Sequence, residues 1–158
     1  MKNELFLLCD LDDENYSCPG FAFYRTPEEA EQAAIAACKS WEEDCTLDNE
    51  NTSADNVIRI VGEEADSFYV TEVKRIDPKY GEYLLLWHHG YYGVAFSVLH
   101  QGTLDECQKV RKEKEDQLIF DLELKKNAYK QDKFRGVFDT GTEWEVFSIV
   151  QILEQYNR

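Results

Sequence analysis

The sequence predicts an α+β fold: a tandem duplication of one β-β-α-β-β unit, giving antiparallel sheets each covered by one helix. Three observations predict it. The stretch YLLLWHHGYYGVAFSVLHQGTLDECQ, Tyr83 to Gln108, repeats the pattern of LFLLCDLDDENYSCPGFAFYRTPEEAEQ, Leu5 to Gln32. Within it, Gly93-Val94-Ala95-Phe96 answers Gly20-Phe21-Ala22-Phe23. Thr103-Leu104-Asp105-Glu106-Cys107 answers Thr26-Pro27-Glu28-Glu29-Ala30 at an offset of 77, close to half of the 158 residues. Further on, Trp144 falls opposite Phe68 and Ile152 opposite Ile76, both at an offset of 76. Third, each half has short β-compatible runs flanking one helical segment. The first unit is assigned residues 1–79 and the second residues 80–158.

Leu5 to Cys9 is too short for a helix and reads as a strand. Asp10 to Gly20 breaks it with acidic and Pro-Gly turn chemistry and reads as a long acidic hairpin tip. Phe21 to Arg25 is the returning strand. Thr26 is a good N-cap, Pro27 suits the first helical position, and Glu29 three residues on completes a capping box. Ala30, Ala33, Ala34 and Ala37, with Trp41 beyond, form a stripe of small residues. The helix is expected to end near Asp44, followed by a polar loop over Thr46 to Asn56. Val57 to Val61 is a strand, Gly62 to Asp66 a turn, and Phe68 to Ile76 a strand with side chains alternating between faces.

Asp77 to Gly81 connects to the second copy. There Glu82 to His88 is a strand, His89 to Gly93 its tip, and Val94 to His100 the return. The second helix starts at the Thr103 cap and is expected to run to about Ala128. Leu118 to Leu124 also alternates like a strand; the first copy decides for helix. Gly136 to Phe138 and Glu143 to Leu153, around the Asp139–Thr142 turn, close the unit as a hairpin.

Composition bounds the function. A hydrophobic fraction of 43% with 13% aromatic residues describes a folded chain. No apolar run approaches the length of a membrane helix, and Met1-Lys2-Asn3-Glu4 does not open a signal peptide, so a cytoplasmic location is expected. Five cysteines (Cys9, Cys18, Cys38, Cys45, Cys107) without a CxxC pair are expected to be reduced thiols serving as small core residues.

The net charge of −15 is uneven: residues 1–79 hold 19 acidic and 7 basic side chains (−12), residues 80–158 hold 13 and 10 (−3). A field of that sign repels nucleic acid and membrane headgroups and attracts basic protein surfaces. Two acidic clusters carry it, Asp10, Asp12, Asp13 and Glu14, and then Glu42, Glu43 and Asp44, with Asp48, Glu50 and Asp55 beyond. The first cluster is not a calcium loop, because the sixth and twelfth positions are Asn15 and Phe21 instead of Gly and Glu. Set on one face, the clusters would space carboxylates much as a duplex spaces phosphates.

Other candidates are weaker. His88 and His89 are neighbours on one strand and point to opposite faces, so at most one can join His100 in a two-histidine corner. Trp87, Tyr91, Tyr92 and Phe96 read as core and hairpin packing. Lys109-Val110-Arg111-Lys112-Glu113-Lys114, interleaved with acids four residues on, reads as a solvated helix face. There is no GxSxG, phosphate-binding loop, dinucleotide fingerprint or metal-binding motif.

The functional expectation is therefore a non-catalytic acidic protein-binding module, without cofactor or metal. Its finer form is an inhibitor of the phage or mobile-element type that occupies a basic nucleic-acid-binding surface of a target protein. The contact residues expected are Asp10, Asp12, Asp13, Glu14, Glu42, Glu43 and Asp44. The alternative is a small enzyme or a ligand- or metal-binding domain with its site between the units, near His88, His89, His100 and Trp87.

Overall fold

The computed structural model describes residues 4–12, 15–39, 45–47, 56–64, 67–89, 96–141 and 143–152; for residues 10–12, 15–19, 45, 56, 61–64, 67–70 and 89 it describes the backbone alone. The chain divides into two compact units at Pro78/Lys79. The architecture is α+β, two five-stranded antiparallel sheets with one helix packed on each.

The first unit runs β1 (Leu5–Asp12), β2 (Asn15–Tyr24), α1 (Pro27–Lys39), β3 (Cys45–Leu47), β4 (Asn56–Glu64) and β5 (Ser67–Ile76), in sheet order β2-β1-β5-β4-β3. A 3-10 turn over Pro78–Tyr80 follows. The second unit runs β6 (Tyr83–His89), β7 (Phe96–Gly102), α2 (Leu104–Leu122), β8 (Tyr129–Gln131), β9 (Arg135–Asp139) and β10 (Trp144–Gln151), in sheet order β7-β6-β10-β9-β8. The β-β-α-β-β unit is thus present twice. Each copy also carries a three-residue edge strand after its helix, β3 or β8, too short to leave a signal in sequence.

Strand pairing gives the duplication independent support. Ile60 faces Thr71 across β4–β5, and Gly136 faces Phe147 across β9–β10, both partners advanced by 76 residues. Leu8 faces Val73 and Leu85 faces Ile149, with advances of 77 and 76. The helices align through their caps. Glu29 N–H donates to Thr26 Oγ1 at 3.2 Å, and Glu106 N–H to Thr103 Oγ1 at 3.2 Å. At the same offset of 77, the buried residues of α1 (Ala30, Ala34, Cys38) correspond one to one with those of α2 (Cys107, Arg111, Glu115).

The first unit's core is built on Phe6, Leu8, Ile58, Ile60 and Val73, with Ala30 and Ala34 of α1 fully buried. In the second unit Leu85, Cys107, Phe138, Phe147 and Ile149 form the core, flanked by Tyr83, Trp87, Leu99, Leu104 and Val110. Burying each large side chain contributes roughly 1.5–3 kcal/mol. Phe138 is stacked on Tyr129 and meets Phe147 edge-on.

Several expectations are corrected. The acidic stretch after Cys9 is not simply a loop: Asp10 pairs with Gly20 and Asp12 with Asn15, so the hairpin ladder continues into it as far as this last pair. Pro19 is compatible with this because β2 is an edge strand, where proline is tolerated. Gly62 to Glu64 belongs to β4, and Thr46 and Leu47 to β3. Helix α2 stops at Leu122, well short of Ala128. Glu123 caps it at φ 51° and ψ 44°, its N–H reaching the carbonyls of Ile119 and Phe120. Cys38 is disulfide-bonded, whereas Cys9 and Cys107 are buried thiols outside any disulfide.

Candidate functional site

Of the acidic residues singled out in sequence, the structure places the backbone of Asp10 and Asp12 at the distal end of β1. The β1–β2 register shifts between these two residues, so strict alternation does not carry from one to the other. Asp13, Glu14, Glu42, Glu43 and Asp44 lie outside the described residues. In the same unit Glu28 and Glu29 are exposed on the first turn of α1, where the positive helix end favours them. Glu72, by contrast, is buried and bound: Arg59 Nη1 donates to its Oε2 at 3.1 Å, and Lys74 Nζ lies 3.9 Å from Oε1. Between β2 and α1 lies a shallow trough of about 520 Å³, lined by Leu8, Phe21, Ala22, Tyr24, Ala33 and Ala37.

The histidines do not converge. His88 follows Leu84 and Leu86 on the face of β6 opposite Leu85 and is buried. His100 pairs with Leu85 and lies on the α2 side, its Nε2 3.0 Å from Glu106 Oε2. Thr103 Oγ1 donates to Glu106 Oε1 at 3.2 Å, and these two contacts, that with His100 first, hold the Glu106 carboxyl below the usual range. The backbone of His89 shares the parity of Leu85 but stands four residues farther along β6, roughly 13 Å at strand rise. Among the described residues no group of three or more His, Cys, Asp or Glu could hold a metal ion.

The aromatic candidates divide likewise. Trp87 packs half-buried against the core and donates from Nε1 to Glu145 Oε1 at 3.1 Å. Phe96 is buried, and Tyr91 and Tyr92 lie outside the described residues. Burial also pushes the Cys107 thiol up to about 11, which leaves it unreactive as a nucleophile at neutral pH.

Sequence reasoning missed the most organised polar site. Arg111, read as part of a solvated basic face, is 6% exposed, and Glu115 is 2% exposed. Arg111 Nε donates to Glu115 Oε1 at 2.9 Å, and Gln131 Nε2 from β8 donates to the same oxygen at 3.1 Å. The remaining guanidinium nitrogens reach the carbonyls of Lys133 (Nη1, 3.0 Å) and Asp132 (Nη2, 2.8 Å). Glu115 Oε2 is buried with no hydrogen-bond partner, packed over Gly136. Burial raises the Glu115 carboxyl, partly offset by Arg111 and Gln131. One signal was available: aligning the two copies puts Arg111 and Glu115 at the small, core-facing positions of Ala34 and Cys38. The rest of the charged run behaves as expected, with Lys112 Nζ 2.6 Å from Asp116 Oδ2 in solvent.

Among the described residues no helix is long and apolar enough to cross a membrane. Comparison with known protein families, curated proteins and solved structures finds no match to this chain.

Proposed function

We propose that the chain is a non-catalytic acidic protein-binding module whose first unit docks on a basic protein surface. The finer form of the proposal is an inhibitor that covers the nucleic-acid-binding surface of its target. One observation carries the reading: two copies of one scaffold differ in net charge by nine, −12 against −3. The second copy builds the same fold without that charge, so the fold does not require it. Long-range attraction of this kind accelerates encounter with a basic partner and is screened by salt. The trough beside α1 offers such a partner an apolar foothold in the same unit.

A cytoplasmic location belongs to the proposal. The Cys38 disulfide weighs against a strongly reducing compartment, which makes the native thiol count a check on it. The test of function is affinity capture from lysate at low and high salt, with mass spectrometry of what elutes. A basic, nucleic-acid-handling protein released by salt and displaced by nucleic acid is the expected result. Charge reversal at Asp10, Asp12, Asp13, Glu14, Glu42, Glu43 and Asp44 should then slow association and flatten its salt dependence. Unchanged association by those variants would overturn the reading.

A further inference from the structure

The exposed turn after β8 is held with more hydrogen bonds than a solvent-facing turn needs. Arg111 Nη1 and Nη2 bind the carbonyls of Lys133 and Asp132. Asp132 Oδ1 accepts from the N–H groups of Phe134 and Arg135, both at 2.8 Å, and Asp132 N–H donates to Arg135 O at 2.8 Å. Ile149 N–H donates to Phe134 O at 2.7 Å. The first unit has Ala34 where this one has Arg111, so the duplicated fold forms without a buried guanidinium there.

The turn displays an aromatic ring within a basic stretch. Phe134 is 45% exposed, with Lys133 Nζ 5.3 Å from its ring centroid. Residues 125–135 carry five basic side chains and one acidic one, in a chain of net charge −15. Lys125, Lys126, Lys130 and Lys133 are exposed, while the single acid, Asp132, is turned onto backbone amides. Strand β8 is the outermost of its sheet and pairs, among the described residues, with β9 alone. Edge lysines guard against unwanted strand pairing. That accounts for Lys130 but not for an exposed phenylalanine on a turn fastened from beneath.

We propose that β8 and the 132–134 turn form a docking edge for an extended acidic protein segment. The segment adds as a strand along β8, sets carboxylates against Lys130 and Lys133, and covers Phe134. Charge complementarity selects this occupant. Three residues of β8 span roughly 10 Å, about one Debye length at physiological salt. A short acidic peptide therefore stays within the basic patch, whereas a duplex or an anionic membrane extends into the repulsive field of the remaining chain. This surface is independent of the acidic clusters in the first unit.

The experiment is fluorescence anisotropy of a short labelled peptide of alternating Glu and Val, with amide chemical-shift mapping on the full chain. Saturable binding with shifts over residues 129–134 is expected. Lys130→Glu with Lys133→Glu should weaken it about tenfold or more, and Phe134→Ala about fivefold. Lys109→Glu with Lys112→Glu, on the solvent face of α2, should leave it unchanged. All five positions are exposed, so the fold persists and the charge reversals of the first unit are not involved. Absence of saturable binding, or equal binding by the Lys130/Lys133 variant, overturns the proposal. Tighter binding of oligothymidylate or phosphatidylserine vesicles at the same residues overturns the acidic-peptide occupant.

Discussion

Arg111 and Glu115, 2.9 Å apart and both buried, occupy the helix positions that Ala34 and Cys38 fill in the first unit. The sheet has changed with them: Gly136 lies beneath Glu115 where the first unit has Ile60, and a Cβ at Gly136 would collide with the Glu115 carboxylate. One copy thus fills this space with an isoleucine side chain, the other with an ion pair over a glycine. Removing one partner of a buried pair strands the other charge, at a cost of roughly 3–5 kcal/mol, whereas replacing the whole pair with apolar groups is often neutral. Arg111→Ala or Glu115→Ala alone should therefore lower unfolding stability by roughly that amount. The triple variant Arg111→Ala, Glu115→Cys, Gly136→Ile, which installs the first unit's residues, should recover most of it. Urea denaturation of the three proteins decides, and a triple variant weaker than either single one refutes the equivalence.

The same pair sets a pH dependence. Desolvation raises the Glu115 carboxyl above its ordinary value of 4.5 in the folded state. A carboxyl raised on folding binds its proton more tightly in the native chain, so stability is lost as pH climbs from the unfolded value through the folded one. Glu115→Gln has no such titration. Stability of the wild type relative to Glu115→Gln should therefore fall as pH rises above about 4.5 and level off once Glu115 is ionised in both states. Denaturant midpoints of both proteins across this window measure it. A difference that grows with pH in favour of the wild type would reverse the sign and refute the burial argument.

Gly81 and Gly102 separate two kinds of close contact. Gly81 has φ 153°, and a Cβ there would run into the backbone of Gly102, which cannot yield without shifting β7. A Cβ at Gly102 meets instead the side-chain ends of Glu106 and His100, both partly exposed and able to rotate. Gly81→Ala should cost more than the roughly 1 kcal/mol typical of substitutions, and Gly102→Ala clearly less than Gly81→Ala. Thermal unfolding of the two variants gives the order, and equal losses would show that the β7 backbone yields as readily as the two side chains.

How far the fold was legible depended on which signals repeat. The helix caps at Thr26 and Thr103, and the paired landmarks Phe68/Trp144 and Ile76/Ile152, were local and periodic, and they located both copies. The strands β3 and β8 were not legible, because three residues cannot display an alternation. The end of α2 was hidden for another reason. Glu123 takes the left-handed capping conformation that glycine usually marks, so no stop signal was present. The ion pair was concealed by pattern: Arg111 among Lys109, Lys112 and Lys114 looks solvated until the helix is laid on the sheet. For the acidic clusters, sequence supplied sign and asymmetry, and their arrangement in space depends on tertiary placement that periodicity does not encode.

The cysteines give the last prediction, because three of them occupy chemically distinct states. Cys9 and Cys107 form no disulfide and are fully buried, and burial lifts the Cys107 thiol to about 11, so almost no thiolate forms at neutral pH. Alkylation proceeds through the thiolate and needs access; both conditions fail at Cys107, and access fails at Cys9. Cys38 is withheld differently, by its disulfide. Iodoacetamide on the native protein should leave all three unmodified. Denaturant without reductant should release Cys9 and Cys107, whereas Cys38, itself fully buried, should label only when reductant and denaturant are combined. Peptide mass spectrometry resolves the three. Labelling of Cys38 in the unreduced, unfolded chain would mean that the disulfide is absent in solution. That result would restore a chain of reduced thiols, compatible with a cytoplasmic site of action.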